Sequence, residues 1–268
     1  MSDIPSPDHT PEEAPDNSPA AWLNDLKIAA IFFTRVPIAH DGVLTLADLR
    51  RAWRVVPAVG ALIGLGGGIV FALAAWLNLP PAASALLAVL ATIALTGALH
   101  EDGLADMADG CGGGDPERRI EIMRDSRIGA YGALALVFSV ALRAAALTAI
   151  ARPGAAILAL IAAHAVSRAC VPAVMDRMQP ATEEGLGTGA GTPDRTAMAI
   201  AAGSALILAL IALGPAAGIW ALLAAAAASF AAAAMAQQLF RGYTGDVLGA
   251  VQQAAEIAVL LAAASFFA

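Results

Sequence analysis

Long apolar segments separated by short polar ones fill most of the chain after its first twenty residues. A helix needs roughly 20 apolar residues to cross a bilayer. Seven segments approach that length and predict spans at about 55–78, 82–100, 131–150, 155–175, 197–213, 215–239 and 247–267. The fifth predicted span is short and meets the sixth at Gly214–Pro215, so the pair is either one hairpin or one broken helix. Seven spans is the expected count, and six is the main alternative.

The residues before the first span divide into two parts. Residues 1–21 are rich in proline and acidic side chains, which predicts a disordered tail, and they lack the basic start and apolar core of a signal peptide. Residues 24–36 mix apolar and polar positions before Pro37, which predicts a short amphipathic or re-entrant helix at the membrane surface or under the bundle. We expect residues 22–268 to form one all-α transmembrane domain.

Composition supports a membrane protein. Hydrophobic residues make up 59% of the chain, and charged residues only 14%, against about 25% in soluble domains. The mean hydropathy is +0.72. The net charge of −7 says little about partners, because the acidic residues are concentrated in loops and in the amino-terminal tail. No nucleic-acid footprint is present, and membrane lipid is the expected surrounding. Cys111 and Cys170 lie in no CxxC or Cys/His pattern, and we expect neither a zinc site nor a disulfide.

The basic residues predict the orientation in the membrane. Lys and Arg in short loops are retained on the cytoplasmic side. With the amino terminus inside, the outer loops hold only Arg152, and the inner segments hold twelve basic residues: Lys27, Arg35, Arg50, Arg51, Arg54, Arg118, Arg119, Arg124, Arg127, Arg177, Arg195 and Arg241. The polar loops 101–130, 176–196 and 240–246 are therefore expected to share the cytoplasmic face.

An acidic motif follows the second predicted span. If the helix of that span continues, Asp102, Asp106 and Asp109 lie at i, i+4 and i+7 and share one face. Three neighbouring carboxylates repel one another unless a cation lies among them, and oxygen ligands with room for phosphates suit Mg²⁺. The glycines at 112–114 allow a ligand to approach the backbone closely, and the arginines that follow can donate to phosphate. The alternative is a solvated acidic loop.

Other polar segments extend this pattern. Asp115 with Pro116 predicts the start of a helix to about Arg127, whose face with Arg118, Glu121 and Asp125 would turn back toward the acidic motif. The second inner loop contains Glu183 and Glu184 among glycines, and the third contains residues 241–246. Each is either a plain connector or a part of one composite site.

Ionisable residues within the predicted spans need partners or a cavity. Arg168, near His164 and Ser167, is expected either to reach a phosphate or to form a structural ion pair. For Glu256, near Gln252 and Gln253, interhelical hydrogen bonding is favoured over an extension of the polar pocket. Arg143 is expected to be structural, whereas His100 beside the acidic motif could orient a carboxylate or bind a phosphate.

Four motifs together resemble the cobalamin synthase family, also called adenosylcobinamide-GDP ribazoletransferase. They are Phe33–Pro37, His100–Asp106 with Ala108–Gly110, Arg124–Gly129, and Tyr243–Asp246. The resemblance covers residues 22–268. It departs at Cys111, where the family more often has a bulkier apolar residue, and at Arg241, where glycine is common.

The resemblance implies a multi-pass enzyme of the cytoplasmic (inner) membrane with its active site facing the cytoplasm. It would join α-ribazole, or its 5′-phosphate, to adenosylcobinamide-GDP and release GMP in a late step of vitamin B12 biosynthesis; a homo-oligomer stays open. Mg²⁺ would bind Asp102, Asp106, Asp109 and Asp125, with Asp125 or Asp246 as the base. The expected substrate-binding residues are His100, Glu101, Arg118, Arg119, Arg124, Ser126, Arg127, Arg168, Glu183, Glu184 and Thr244.

Two other functions remain as alternatives. A membrane phosphotransferase of the CDP-alcohol or prenyl type would also use spaced aspartates with Mg²⁺. A cation-coupled transporter would hold its acidic residues near the bilayer midplane in broken helices. Here the acidic residues cluster at one predicted membrane face, which favours a transferase.

Overall fold

The computed structural model describes residues 18–39, 45–182, 189 and 191–268, which are largely helical and contain no β-strand. A 3-10 turn at Trp53–Val55 connects the second helix directly to the third. In chain order the α-helices are α1 (Pro19–Phe33), α2 (Leu46–Ala52), α3 (Val56–Trp76), α4 (Pro81–Thr96), α5 (Leu99–Gly110), α6 (Pro116–Met123), α7 (Ala130–Ile150), α8 (Pro153–Arg177), α9 (Arg195–Leu213), α10 (Pro215–Phe240) and α11 (Gly245–Phe267).

Among these residues, six helical segments are long and apolar enough to cross a membrane: the continuous segment Leu46–Trp76, and each of α7 to α11. Helices α4 and α5 pass the same test only together, and the pair bends by 92°. The prediction of seven spans, or six, is confirmed. Gly214 has a φ of +80° and separates α9 from α10, and Gly218 then packs on the Ala209 carbonyl, so this pair is a hairpin of two helices.

Small residues let the central helices approach closely. Gly60, Gly64 and Gly68 lie one turn apart on α3, and a Cβ at any of them would collide with α8, at the carbonyls of His164 and Leu160 or at Ile157. Without a hydrophobic driving force between helices in lipid, such backbone contact supplies the packing energy. Helix α8 also packs on α9 and α11, and α11 packs on α5, α7 and α10. Helices α8 and α11 therefore form the buried centre of the bundle.

The helix of the second predicted span does not continue into the acidic motif. It ends at Thr96, and the chain bends through Gly97 and Ala98, which have φ values of +64° and +59°. The acidic residues consequently lie on a separate helix, α5, that turns by 92° from α4 and packs across α7 and α11. The expectation of one continuous helix was wrong, but the three aspartates still share one helix.

Helix α1 begins earlier than predicted. Ser18 caps it by accepting a hydrogen bond from the Ala21 amide, so the last residues of the predicted tail are helical; residues 1–17 lie outside the described part. The buried Asp25 anchors α1, because it accepts hydrogen bonds from Arg51 at 2.9 Å and Arg54 at 2.6 Å. Arg51 is thus an ion-pair partner of α1.

Candidate active site

Three polar segments meet at one end of the bundle. The Tyr243 amide donates to the Gln179 carbonyl at 3.0 Å, and the Tyr243 carbonyl accepts from the Ala181 amide at 2.8 Å. The Arg119 guanidinium donates to the Leu239 carbonyl at 3.1 Å. The loops that the sequence places on one face are therefore in contact with one another.

The aspartates of α5 lie at this end. Asp102 is exposed, whereas Asp106 and Asp109 are half-buried. A Cβ at Gly103 would lie 2.8 Å from the Asp246 Cα, which shows that the backbones of α5 and the start of α11 touch. Asp246 is thereby placed beside the α5 aspartates, and four carboxylates from two helices form the acidic cluster: Asp102, Asp106, Asp109 and Asp246.

The charges of this cluster act most strongly on Asp106. Burial, together with the charges of Asp102, Asp246 and Asp109, raises the pKa of the Asp106 carboxyl to about 7. Such crowding disfavours the ionised form unless a cation offsets it. Strongly perturbed carboxyls of this kind are concentrated at functional sites.

Asp109 already has two partners. Its carboxylate accepts hydrogen bonds from the Gly129 amide at 2.7 Å and from the Gly132 amide at 2.8 Å. A side chain at either glycine would collide with this carboxylate. Asp109 therefore binds the amino-terminal end of α7, where free amides and the helix dipole favour an anion.

Asp125 lies apart from the helical face predicted for it. Helix α6 starts as expected, with Asp115 as its cap, but it ends at Met123 because the Asp125 side chain accepts from the Arg127 amide at 3.1 Å and closes a turn. The Arg127 guanidinium also donates hydrogen bonds to the Asp125 carboxylate, at 2.6 Å and 3.0 Å. These hydrogen bonds lower the pKa of Asp125 to about 2. A carboxylate with such a low pKa is a poor base.

The expected face of α6 also points outward. Arg118 and Glu121 pair with each other at 2.8 Å, and both side chains are about two-thirds exposed, at 64% and 67%. This corrects the prediction that Arg118, Glu121 and Asp125 turn back toward the aspartates. An exposed pair of this kind contributes little to stability.

Three of the expected substrate-binding residues are buried in the bundle: His100, Glu101 and Arg168. His100 stacks on the ring of Phe33, with 5.8 Å between the ring centroids. Glu101 and Arg168 are bonded to other protein groups, so these three side chains do not face the polar end of the bundle.

The remaining expected residues lie at the polar end or outside the described part. Arg124, Ser126 and Arg127 are exposed. Thr244 accepts from the Val247 amide at 3.3 Å, which starts α11, and it donates to Asp246 at 3.4 Å. Glu183 and Glu184 lie outside the described residues.

A polar network fills the interior beneath α5. The Arg143 guanidinium donates to Glu101 at 2.9 Å and to Glu256 at 3.1 Å. Arg168 donates to the His164 ring at 2.9 Å, and that ring also lies 3.2 Å from Glu256. Arg168 thus bonds to His164 and, within the described residues, does not form the structural ion pair that was one of its two expected contacts, whereas Glu256 forms the interhelical hydrogen bonding that was favoured for it.

Sequence reasoning missed the position of Arg35. Its amide donates to the Leu95 carbonyl at 2.7 Å, and its exposed side chain packs against Gly97 at the bend before α5. The Phe33–Pro37 motif thus lies on the acidic motif. The sequence feature that pointed to a functional position for Arg35 was its place in the Phe33–Pro37 motif.

The donor set suits a hard cation bound together with substrate. No group of three Asp, Glu, His or Cys side chains in the described ranges is arranged to hold a metal ion by itself. Mg²⁺ is commonly bound through one or two carboxylates, with water and substrate phosphates completing its shell. Asp102 and Asp106, with Asp246 beside them, fit that mode of binding.

The fold defines an all-α, multi-pass membrane protein with an acidic cluster at one end of its bundle. A model of the cobalamin-5-phosphate synthase family matches residues 25–264, and the chain belongs to this family of transferases.

Relatives named adenosylcobinamide-GDP ribazoletransferase match nearly the whole chain. The protein of Bradyrhizobium diazoefficiens is 46% identical, over 91% of this chain and 94% of its own length. That of Mesorhizobium japonicum is 45% identical, over 92% and 95%. That of Azorhizobium caulinodans is also 45% identical, over 89% and 94%. No solved structure matches the chain.

Proposed function

We propose that this protein joins α-ribazole, or its 5′-phosphate, to adenosylcobinamide-GDP and releases GMP. A hydroxyl oxygen of the ribazole attacks the phosphorus linked to cobinamide, and the bond from that phosphorus to the GMP oxygen breaks. The attacking hydroxyl loses its proton to a base, and the charge of the broken bond leaves with GMP. Family membership and the names of the relatives support this reaction.

The acidic cluster is the observation that carries the proposal. Transfer between phosphate esters depends on positioning and on neutralising charge. Asp102 and Asp106 would hold Mg²⁺, which when bound neutralises the charge of the diphosphate. The raised pKa of Asp106 supports this role, since a carboxylate crowded by like charges gains most from a cation.

Other residues of this chain have separate roles in the proposal. Asp246 accepts the hydroxyl proton, because it lies beside α5. Asp125 forms an ion pair with Arg127, whereas Asp246 forms no such pair within the described residues. Arg124, Arg127 and Arg35 lie exposed at the same end and bind phosphate oxygens. Asp109 keeps α5 attached to α7.

Release of GMP from the purified protein tests the reaction. With both substrates and Mg²⁺ we expect one GMP for each corrinoid product; EDTA should stop the reaction, added Mg²⁺ should restore it, and Zn²⁺ should support it poorly because the proposed ligands are oxygens. Without ribazole, GMP release should fall to background. Movement of a cation or corrinoid into vesicles with no GMP formed would instead favour a transporter.

The location in the cytoplasmic membrane, with the acidic cluster facing the cytoplasm, is also part of the proposal. In a variant with Cys111 and Cys170 replaced by alanine, single cysteines at the exposed positions Gly114 and Gly189 should react with an impermeant maleimide only from the cytoplasmic side. A cysteine at Gly154 should react only from the other side. Labelling of Gly189 and Gly154 from the same side would contradict this topology.

A further inference from the structure

We infer that Glu101 is a positioning residue that holds α5, and with it Asp102 and Asp106, against α7 and α11. The inference rests on the proposed function for what the aspartates do. It assigns to Glu101 a role in the protein interior in place of the expected contact with substrate.

The contacts of Glu101 reach two spanning helices. Its side chain is 8% exposed and accepts from Arg143 of α7 at 2.9 Å and from Gln253 of α11 at 3.3 Å. Gln253 is fixed in turn, because it accepts from the Ser139 hydroxyl of α7 at 2.8 Å. The residue next to Asp102 is thus bonded to the two spanning helices α7 and α11, on which α5 packs.

Helix α5 needs such an anchor for two reasons. It follows a bend in which Ala98, a residue with a side chain, adopts a left-handed conformation that favours glycine, so backbone strain opposes the local hydrogen bonds of the bend. Its aspartates also repel each other and Asp246 across the contact at Gly103. A buried, bonded charge pair fixes one arrangement where packing alone would allow several.

The same network offers a matched control. Glu256 also accepts from Arg143, at 3.1 Å, and is also buried. Its other bonds within the described residues go to Gln252 and His164, neither of which is on α5. Glu256→Gln therefore removes a buried carboxylate from the same arginine and leaves the anchor of α5 in place.

Two measurements on the full-length protein in detergent test the inference. In Glu101→Gln, amide hydrogen exchange of residues 99–110 should speed up at least about tenfold, while Glu256→Gln leaves these amides protected. Mn²⁺ serves as a probe, and its binding is followed by its electron paramagnetic resonance signal. The affinity for Mn²⁺ should fall about 10-fold or more in Glu101→Gln but not in Glu256→Gln. Glu101→Asp keeps the charge but shortens its reach, and it should behave like Glu101→Gln.

Several outcomes would overturn the inference. One is unchanged exchange of α5 in folded Glu101→Gln or, if that variant does not fold, in Glu101→Asp. Equal effects of Glu101→Gln and Glu256→Gln would be another, since they would indicate general loosening of the interior. If the wild-type protein binds no Mn²⁺, the proposed metal role fails, whereas the exchange comparison still decides the role of Glu101.

Discussion

Replacing Asp106 by asparagine should abolish GMP release while the protein still inserts and folds. The substitution keeps the size of the side chain and removes the negative charge that would hold the cation. We expect turnover to fall about 10³-fold or more, comparable with the loss of a group that stabilises the transition state directly. The measurement is turnover at saturating Mg²⁺ with both substrates.

The effect on stability should have the opposite sign. Asp106 is crowded by Asp102, Asp109 and Asp246, so a neutral amide relieves repulsion in the metal-free protein. Thermal unfolding in EDTA should therefore occur at the same or a higher temperature than in the wild type. This combination separates a functional carboxylate from a structural one, whose loss would lower both activity and stability.

A control for Asp106→Asn lies outside the cluster. Asp176 is an aspartate near the end of α8, and its exposed carboxylate pairs with the neighbouring Arg177 at 3.3 Å. Asp176→Asn should retain wild-type turnover. Near-normal turnover of Asp106→Asn at saturating Mg²⁺ would show that the metal site has been assigned to the wrong carboxylate.

Local patterns predicted those parts of the structure that depend on local forces. The spacing of Asp102, Asp106 and Asp109 puts them on one face of any helix that contains all three, wherever that helix begins. Asp115 caps α6 and Pro116 is its first residue, as the sequence predicts. Apolar length was likewise enough for the spans, because a helix must satisfy its own backbone in lipid.

The bend before α5 could not be predicted in the same way. Gly97 is a common helix end, but Ala98 adopts a left-handed conformation that its side chain disfavours. The conformation of Arg241 had a clearer signal. Its φ of +62° favours glycine, the residue that the family resemblance led us to expect at this position.

The pairing of buried charges depends on distant parts of the chain. Arg143 lies 42 positions from Glu101 and 113 positions from Glu256. The sequence indicates that such residues need partners inside a membrane, but it does not say which. Glu101 was therefore expected to bind substrate from its place in the motif, although its bonds point into the bundle.

Gly103→Ala should lower kcat/KM at least about 100-fold, although it adds a single methyl group. That methyl carbon would lie 2.8 Å from the Asp246 Cα and 2.9 Å from the Asp246 carbonyl oxygen. Backbone atoms of a packed helix cannot move aside as the tip of a flexible side chain can, so α5 must shift away from α11. Misplacing reacting groups by about 1 Å is enough for a loss of this size.

Helix propensity makes this test sharper, because alanine favours a helix by about 1 kcal/mol over glycine. Gly203 of α9 has nothing within 4 Å of an added Cβ, so Gly203→Ala gains the same propensity without a collision and should keep full activity. Loss of activity in Gly103→Ala alone would assign the effect to the contact between α5 and α11. Full activity of both variants would show that this contact does not position the reacting groups, and the assignment of Asp246 as the base would lose the observation on which it rests.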